Sequence, residues 1–135
     1  MNTSEFDEVM AEFITESREN LDDLDTALVT LEQHPDPGVI AKIFRSIHTV
    51  KGTSGFLGLR TLESVTHIGE NLLSKMRDGA MPVTEANTSA LLAMVDAVRS
   101  MLAAVESTGA DGQDDFAPLV ELLTRLQKGE QAASG

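Results

Sequence analysis

Two short clusters hold the side chains best suited to chemistry. The first is Ile47-His48-Thr49-Val50-Lys51-Gly52-Thr53-Ser54-Gly55 and the second is His67-Ile68-Gly69-Glu70. On a helix advancing about 100° per residue, His48, Lys51, Gly52 and Gly55 share one side, while Ile43, Ile47, Val50 and Ser54 point away from it. The His48 imidazole therefore lies off the core stripe, beside two positions without side chains, where a second protein can reach it. Glycine inside a helix costs about 0.8–1.0 kcal/mol relative to alanine, and clearance around His48 accounts for Gly52 and Gly55 together. The plainer alternative is that Gly52 permits a close helix crossing and Gly55 belongs to the helix end.

If the two clusters sit on antiparallel helices that turn at Gly58-Leu59-Arg60, residues equidistant from the turn are level, and Glu70 comes opposite His48. A carboxylate there accepts a hydrogen bond from Nδ1–H and leaves the Nε2 lone pair facing solvent. Such a ring suits nucleophilic attack on phosphorus, because the carboxylate stabilises the positive charge that develops on it. Lys51, one turn along the same side, supplies positive charge to an incoming phosphoryl group. His67 either joins this cluster or lies on the exposed side of its helix. His34, ahead of Pro35, reads as a solvent-facing loop residue.

The elements that must position these groups are helical nearly throughout. Leu21, Leu24, Leu28 and Leu31 recur at helical spacing, extended upstream by Phe6, Met10, Phe13 and Ile14, which predicts a first helix over about residues 4–33 with Thr3 and Ser4 at its cap. His34-Pro35-Asp36-Pro37 stops it, and Asp36 with Pro37 starts the second helix, whose stripe is Ile40, Ile43, Ile47, Val50 and Ser54 with Phe44 on its shoulder. A third helix is expected from about Arg60 to Asp78, and a fourth from its Thr84 cap to Gly109. The polar connector Gly109–Asp115 leads to a shorter fifth helix at roughly 114–128. The expected fold is all-α: an up-down four-helix bundle with an additional C-terminal helix. Residues 1–129 read as one domain, and the small polar run 130–135 as the start of a flexible linker to further domains of a longer protein.

Charge and composition exclude several classes of function. The 135 residues carry 22 Asp and Glu against 10 Lys and Arg, a net charge of −12, so sequence-independent binding to nucleic acid or anionic membrane is disfavoured. With no cysteine there is no disulfide framework, thiolate nucleophile or Cys-ligated zinc. The N-terminus lacks the basic start and apolar run of a secretory signal, and no apolar stretch approaches the roughly 20 residues that span a bilayer, which points to the cytoplasm. The charge is also segregated. From Pro37 to Leu62 there is no Asp or Glu, while Lys42, Arg45, Lys51 and Arg60 make the window basic; residues 1–33 hold ten acids and only Arg18 as a base.

The string from Ile43 to Leu59 resembles the histidine phosphotransfer (HPt) motif, His-x-x-Lys-Gly-x-x-Gly, and is most similar to the N-terminal phosphotransfer domain of CheA-type chemotaxis histidine kinases. The resemblance implies a cytoplasmic two-component signalling role. An ATP-binding kinase domain elsewhere in the protein phosphorylates His48 at Nε2, and the group passes to an aspartate of a CheY-like response-regulator receiver domain. It also implies supporting roles for Lys51 and Glu70 and room around the ring at Gly52 and Gly55, and it extends the expected contact surface to Phe44 and Arg45. No cofactor is expected in this domain itself, ATP being used by the kinase domain. The chain has no Gly-rich nucleotide loop and no Walker lysine, so it reads as the substrate and carrier module of a kinase, not as the kinase. Two other readings compete. A carboxylate-bridged metal site would need paired Glu-x-x-His motifs, whereas only the reversed His67-x-x-Glu70 is present. A non-catalytic helical adaptor would bind partners through a helix face without covalent chemistry.

Overall fold

The structure, a computed structural model, describes residues 3–129. Five helices follow in order: α1 (Thr3–Gln33), α2 (Pro37–Phe56), α3 (Arg60–Arg77), α4 (Glu85–Thr108) and α5 (Ala117–Gln127). The first four run alternately up and down. Arg18 of α1 pairs with Glu106 of α4, and Asp22 with Arg99, so the residue numbers rise on one helix as they fall on the other. α2 packs most extensively on α3, α1 lies against α4 and α2, and α5 lies against α3 and α4. This is the expected bundle with its extra helix.

The helix boundaries follow local chemistry. Asp36 is extended and its carboxylate accepts from Gly38 N at 2.8 Å, with Pro37 in the first helical position, where its missing N–H costs nothing. The Thr84 hydroxyl accepts from Asn87 N at 3.1 Å to open α4, and Gly109 closes that helix at φ 83°, a conformation glycine adopts without steric cost. Thr3 and Ser4, expected at the cap of α1, lie inside it.

α5 starts later than its predicted residue 114. The carboxylates of Asp114 and Asp115 each turn onto the backbone two residues ahead, accepting from Phe116 N at 2.8 Å and Ala117 N at 3.0 Å. These local turns compete with helix at the very residues that charge pattern alone would place in its first turn. The connector before them also does more than link. Asp111 accepts from Leu62 N at 3.0 Å, capping the first turn of α3, whose own N-cap residue Leu59 has no side chain able to do so. At the other end of α3, Lys75 donates to the Gln127 carbonyl at 2.5 Å. The connector and α5 thus brace α3, the helix that carries Glu70, at both ends.

Ile43 and Ile47 of α2, Leu62, Leu72 and Leu73 of α3, and Leu91 and Leu102 of α4 are wholly buried. Gly69 lets α3 approach α4 closely, since a β-carbon there would collide with the Met94 sulfur. α4 corrects one expectation: over 18 residues its mean hydropathy of 1.5 makes it apolar and long enough to cross a membrane by those criteria. Its apolar residues Leu91, Val95, Val98 and Leu102 are instead buried in the bundle, and Arg99 on its outer side is paired with α1, so its hydropathy is that of a core helix. The expected linker at 130–135 lies outside the described residues.

Candidate functional site

α2 and α3 bring the two sequence clusters into one constellation. His48 Nδ1 lies 2.7 Å from Glu70 Oε2, and Lys51 Nζ lies 3.0 Å from Glu70 Oε1. One carboxylate therefore receives a donor on each oxygen. The burial is graded: the Glu70 side chain is 11% exposed, Lys51 22% and His48 60%. The anion is at the bottom, and the imidazole stands over it in solvent.

Glu70 is a buried acid that stays ionised. Burial pushes its carboxyl up, but hydrogen bonds from His48 and Lys51, with the Lys51 charge, outweigh that and hold it below its ordinary value of 4.5. An ionised carboxylate only accepts, so Nδ1 of His48 is the donor and carries the proton. In the neutral ring the lone pair is then on Nε2, at the exposed edge. The arrangement can deliver an imidazole nitrogen of fixed tautomer to an external electrophile and stabilise the cation formed when it bonds.

The remaining predicted residues sort differently. Gly52 is exposed, and a β-carbon there would meet nothing within 4 Å, so the surface beside His48 is open. Gly55 has a different setting. A β-carbon there would meet the carboxylate of Glu63, the exposed end of a flexible side chain that folds across from α3. Lys42, Arg45 and Arg60 are exposed, whereas Lys51 is tied to Glu70. The basic window is thus partly offset by carboxylates of α3 that sequence distance had kept apart from it. His67 is exposed and forms no hydrogen bond or ion pair with another described residue, so it does not join the cluster.

Two features escaped sequence reading. Phe44, half-buried, is stacked on the His48 ring with centroids 6.0 Å apart and 13° between planes, and the Arg77 guanidinium lies 4.2 Å from the Phe44 ring centroid. The spacing of Phe44 and His48, one helical turn apart, is a signal that could have found the first contact. Phe56, at the end of α2, is 70% exposed, a large apolar side chain on the helix that carries His48.

Comparison with known proteins places this arrangement. The Hpt domain family matches residues 8–101. The chain is 36% identical over 105 residues to the sensor histidine kinase CheAY of Helicobacter pylori (strain ATCC 700392 / 26695), which covers 77% of this chain and 13% of that protein. It is 35% identical over 124 residues to the chemotaxis protein CheA of Bacillus subtilis (strain 168), covering 90% and 18% respectively. Among solved structures, it is similar to the phosphorylated P1 domain of CheA3 in complex with CheY6 from R. sphaeroides, with a TM-score of 0.85, 29% identity and coverage of 91% of this chain and 98% of that one. The histidine phosphotransfer domain of CheA in solution gives a TM-score of 0.79 at 29% identity, covering 95% and 94%. The chain belongs to the Hpt domain family. It spans less than a fifth of the length of the two curated relatives described here.

Proposed function

We propose that this domain is a phosphohistidine carrier in chemotaxis-type two-component signalling. In the first step the Nε2 lone pair of His48 attacks the γ-phosphorus of ATP held by a histidine kinase domain; the N–P bond forms as the bond to the ADP oxygen breaks. The ring becomes cationic, and Glu70, hydrogen-bonded at Nδ1, stabilises it. In the second step a carboxylate oxygen of a CheY-like receiver aspartate attacks the same phosphorus, the N–P bond breaks and the ring is returned neutral. Lys51 neutralises Glu70 between turnovers and stands one helical turn from the phosphoryl group as it arrives. Gly52 and Arg45, both exposed on α2, together with Phe56, are the surface offered to both partners. ATP belongs to the kinase domain, and the compartment is the cytoplasm, where such kinase and receiver domains meet.

The observation that carries this reading is the 2.7 Å contact of His48 Nδ1 with a buried, ionised Glu70, beneath a ring that is itself exposed. A helical adaptor has no use for a tautomer-fixing carboxylate under an accessible imidazole. The experiment is incubation with the kinase core of a CheA relative and γ-labelled ATP. An acid-labile, base-stable label absent from His48→Gln is expected; label persisting in that variant overturns the assignment. Nitrogen NMR of the free domain should find the His48 ring in its Nδ1–H tautomer, and an Nε2–H ring would refute the orientation.

A further inference from the structure

A hydrogen bond at Nδ1 fixes which nitrogen of His48 is free but leaves the ring able to swing about its side-chain torsions. With the side chain 60% exposed, core packing does not limit that swing. The one aromatic stacking contact among the described residues is Phe44, whose plane lies within 13° of the imidazole plane. The hydrogen bond acts in the plane of the ring, and the offset stack, with centroids 6.0 Å apart, opposes its tilt, so the two constraints on where Nε2 points are independent.

Phe44 is itself only half-buried and needs support. α2 and α3 are antiparallel, so His48 approaches Phe44 from the turn end of the hairpin and Arg77 from the opposite end. The Arg77 guanidinium lies 4.2 Å from the Phe44 ring centroid, within cation–π range, and its Nε donates to Asp78 Oδ1 at 3.2 Å, which steadies it. Asp78, Arg77, Phe44 and His48 thus form a continuous ladder along the outside of the α2–α3 hairpin. It reaches the reactive ring from the side away from Glu70's neighbour Lys51.

We infer that Arg77 is a positioning residue for His48, acting through Phe44 to hold the imidazole plane so that Nε2 is aimed at a donor or acceptor fixed on another protein. This rests on the phosphocarrier reading for its consequence in transfer, but the ring restraint itself does not. A small donor in solution approaches from any direction and gains little from an aimed lone pair. A phosphorus atom held in a docked active site gains much, because misplacement of reacting atoms by about 1 Å can cost a hundredfold.

The test compares Phe44→Leu, Arg77→Gln and Arg77→Lys with the native chain, each first checked for native helicity. Carbon relaxation at His48 Cε1 reads the ring directly and needs no partner: the order of the ring should fall in Phe44→Leu and Arg77→Gln and be largely restored in Arg77→Lys. Unchanged ring order in the first two overturns the inference whatever the protein's function. With the kinase core of a CheA relative, the rate at saturating domain should fall about tenfold in Phe44→Leu and several-fold in Arg77→Gln, with half-saturation unchanged. A raised half-saturation at unchanged saturating rate would make Phe44 a docking contact and overturn positioning. With phosphoramidate, whose P–N bond breaks to release ammonia as the Nε2–P bond forms, labelling of His48 should change less than twofold, with exposed His34 and His67 as references in the same molecule. An equal loss with phosphoramidate would mean that the stack tunes the nitrogen's reactivity, which also overturns positioning. If the native chain takes no phosphoryl group from the kinase core, the phosphocarrier reading fails, while ring order still decides the restraint.

Discussion

Two seams of this bundle join antiparallel helices by charge, and they are built in opposite senses. Along α1 and α4 one cation serves two anions: Arg99 reaches Asp22 at 2.9 Å and also Asp25, while Arg18 and Glu106 pair at 3.0 Å nearby. These groups are largely exposed, and the hydrogen bond to Asp22 leads the interactions that hold the Arg99 guanidinium above its ordinary range. Along α2 and α3 one anion serves two donors, and the anion is the buried member. In the first seam every group has its charge partner and the arrangement does nothing further. In the second, the donor from His48 uses only one of two ring nitrogens, so satisfying the buried carboxylate leaves a reactive atom at the surface. A charge pair becomes a site when meeting one partner's need exposes the other's unused valence.

The sharpest way to break the contrast is to remove each central charge. Glu70→Ala takes away a hydrogen bond to a charged group, of a kind worth about 1.5–3 kcal/mol. If that bond is at full strength only as the ring becomes cationic, phosphorylation of His48 should slow by about 10- to 100-fold, while circular dichroism stays native. Single-turnover labelling with a CheA kinase core reads the rate, and a rate within twofold of native would remove Glu70 from the mechanism. Arg99→Ala should do the converse. Exposed ion pairs contribute about 0.2–1 kcal/mol each, so losing both Arg99 pairs should cost at most about 2 kcal/mol in urea unfolding, with His48 labelling unaltered. Slower labelling in that variant would mean that the two seams are coupled.

Much of this is legible in the sequence. The break between α1 and α2 and both ends of α4 fall where caps and breakers stand, because Asp36, Pro37, Thr84 and Gly109 act on backbone within a residue or two of themselves. The His48–Glu70 contact was legible because a tight hairpin turns sequence distance into spatial level. What stayed hidden depends on side chains arriving from elsewhere. Asp114 and Asp115 were visible as acids, but whether they join a helix or fold onto their own backbone is a close local competition. Glu63 at Gly55, Asp111 on Leu62 and Arg77 on Phe44 each need the packed helices before the contact exists. The glycines show the limit well: Gly52 and Gly55 look equivalent in the motif, yet one faces open surface and the other faces Glu63.

Gly52 offers a smaller perturbation that sharpens the same contrast. At an open helical position, Gly52→Ala should stabilise the domain by up to about 0.8–1.0 kcal/mol through helix propensity alone. Gly52→Leu should retain helicity but raise the half-saturation for kinase or receiver several-fold, since the bulk stands where a partner must approach. Denaturant midpoints and transfer kinetics on the same samples check both; transfer unchanged in Gly52→Leu would leave the glycine with no role at the interface.

The smallest expected effect separates the seams by pH. Glu70 is held below its ordinary value of 4.5 in the folded domain, so the stability it contributes is fully present above that pH and is lost as pH falls through its lower folded value. The loss falls on the acid side because protonation removes the acceptor that both His48 and Lys51 use, leaving the half-buried Lys51 ammonium without its anion. Glu70→Gln cannot titrate, so the difference in unfolding free energy between native and variant should shrink steadily as pH falls below 4.5. Subtracting one curve from the other cancels the other 21 acids, which titrate in both proteins. A difference that stays constant down to strongly acid pH would mean that the carboxylate is no better held in the fold than in the unfolded chain, and Glu70 would then contribute nothing that depends on its charge.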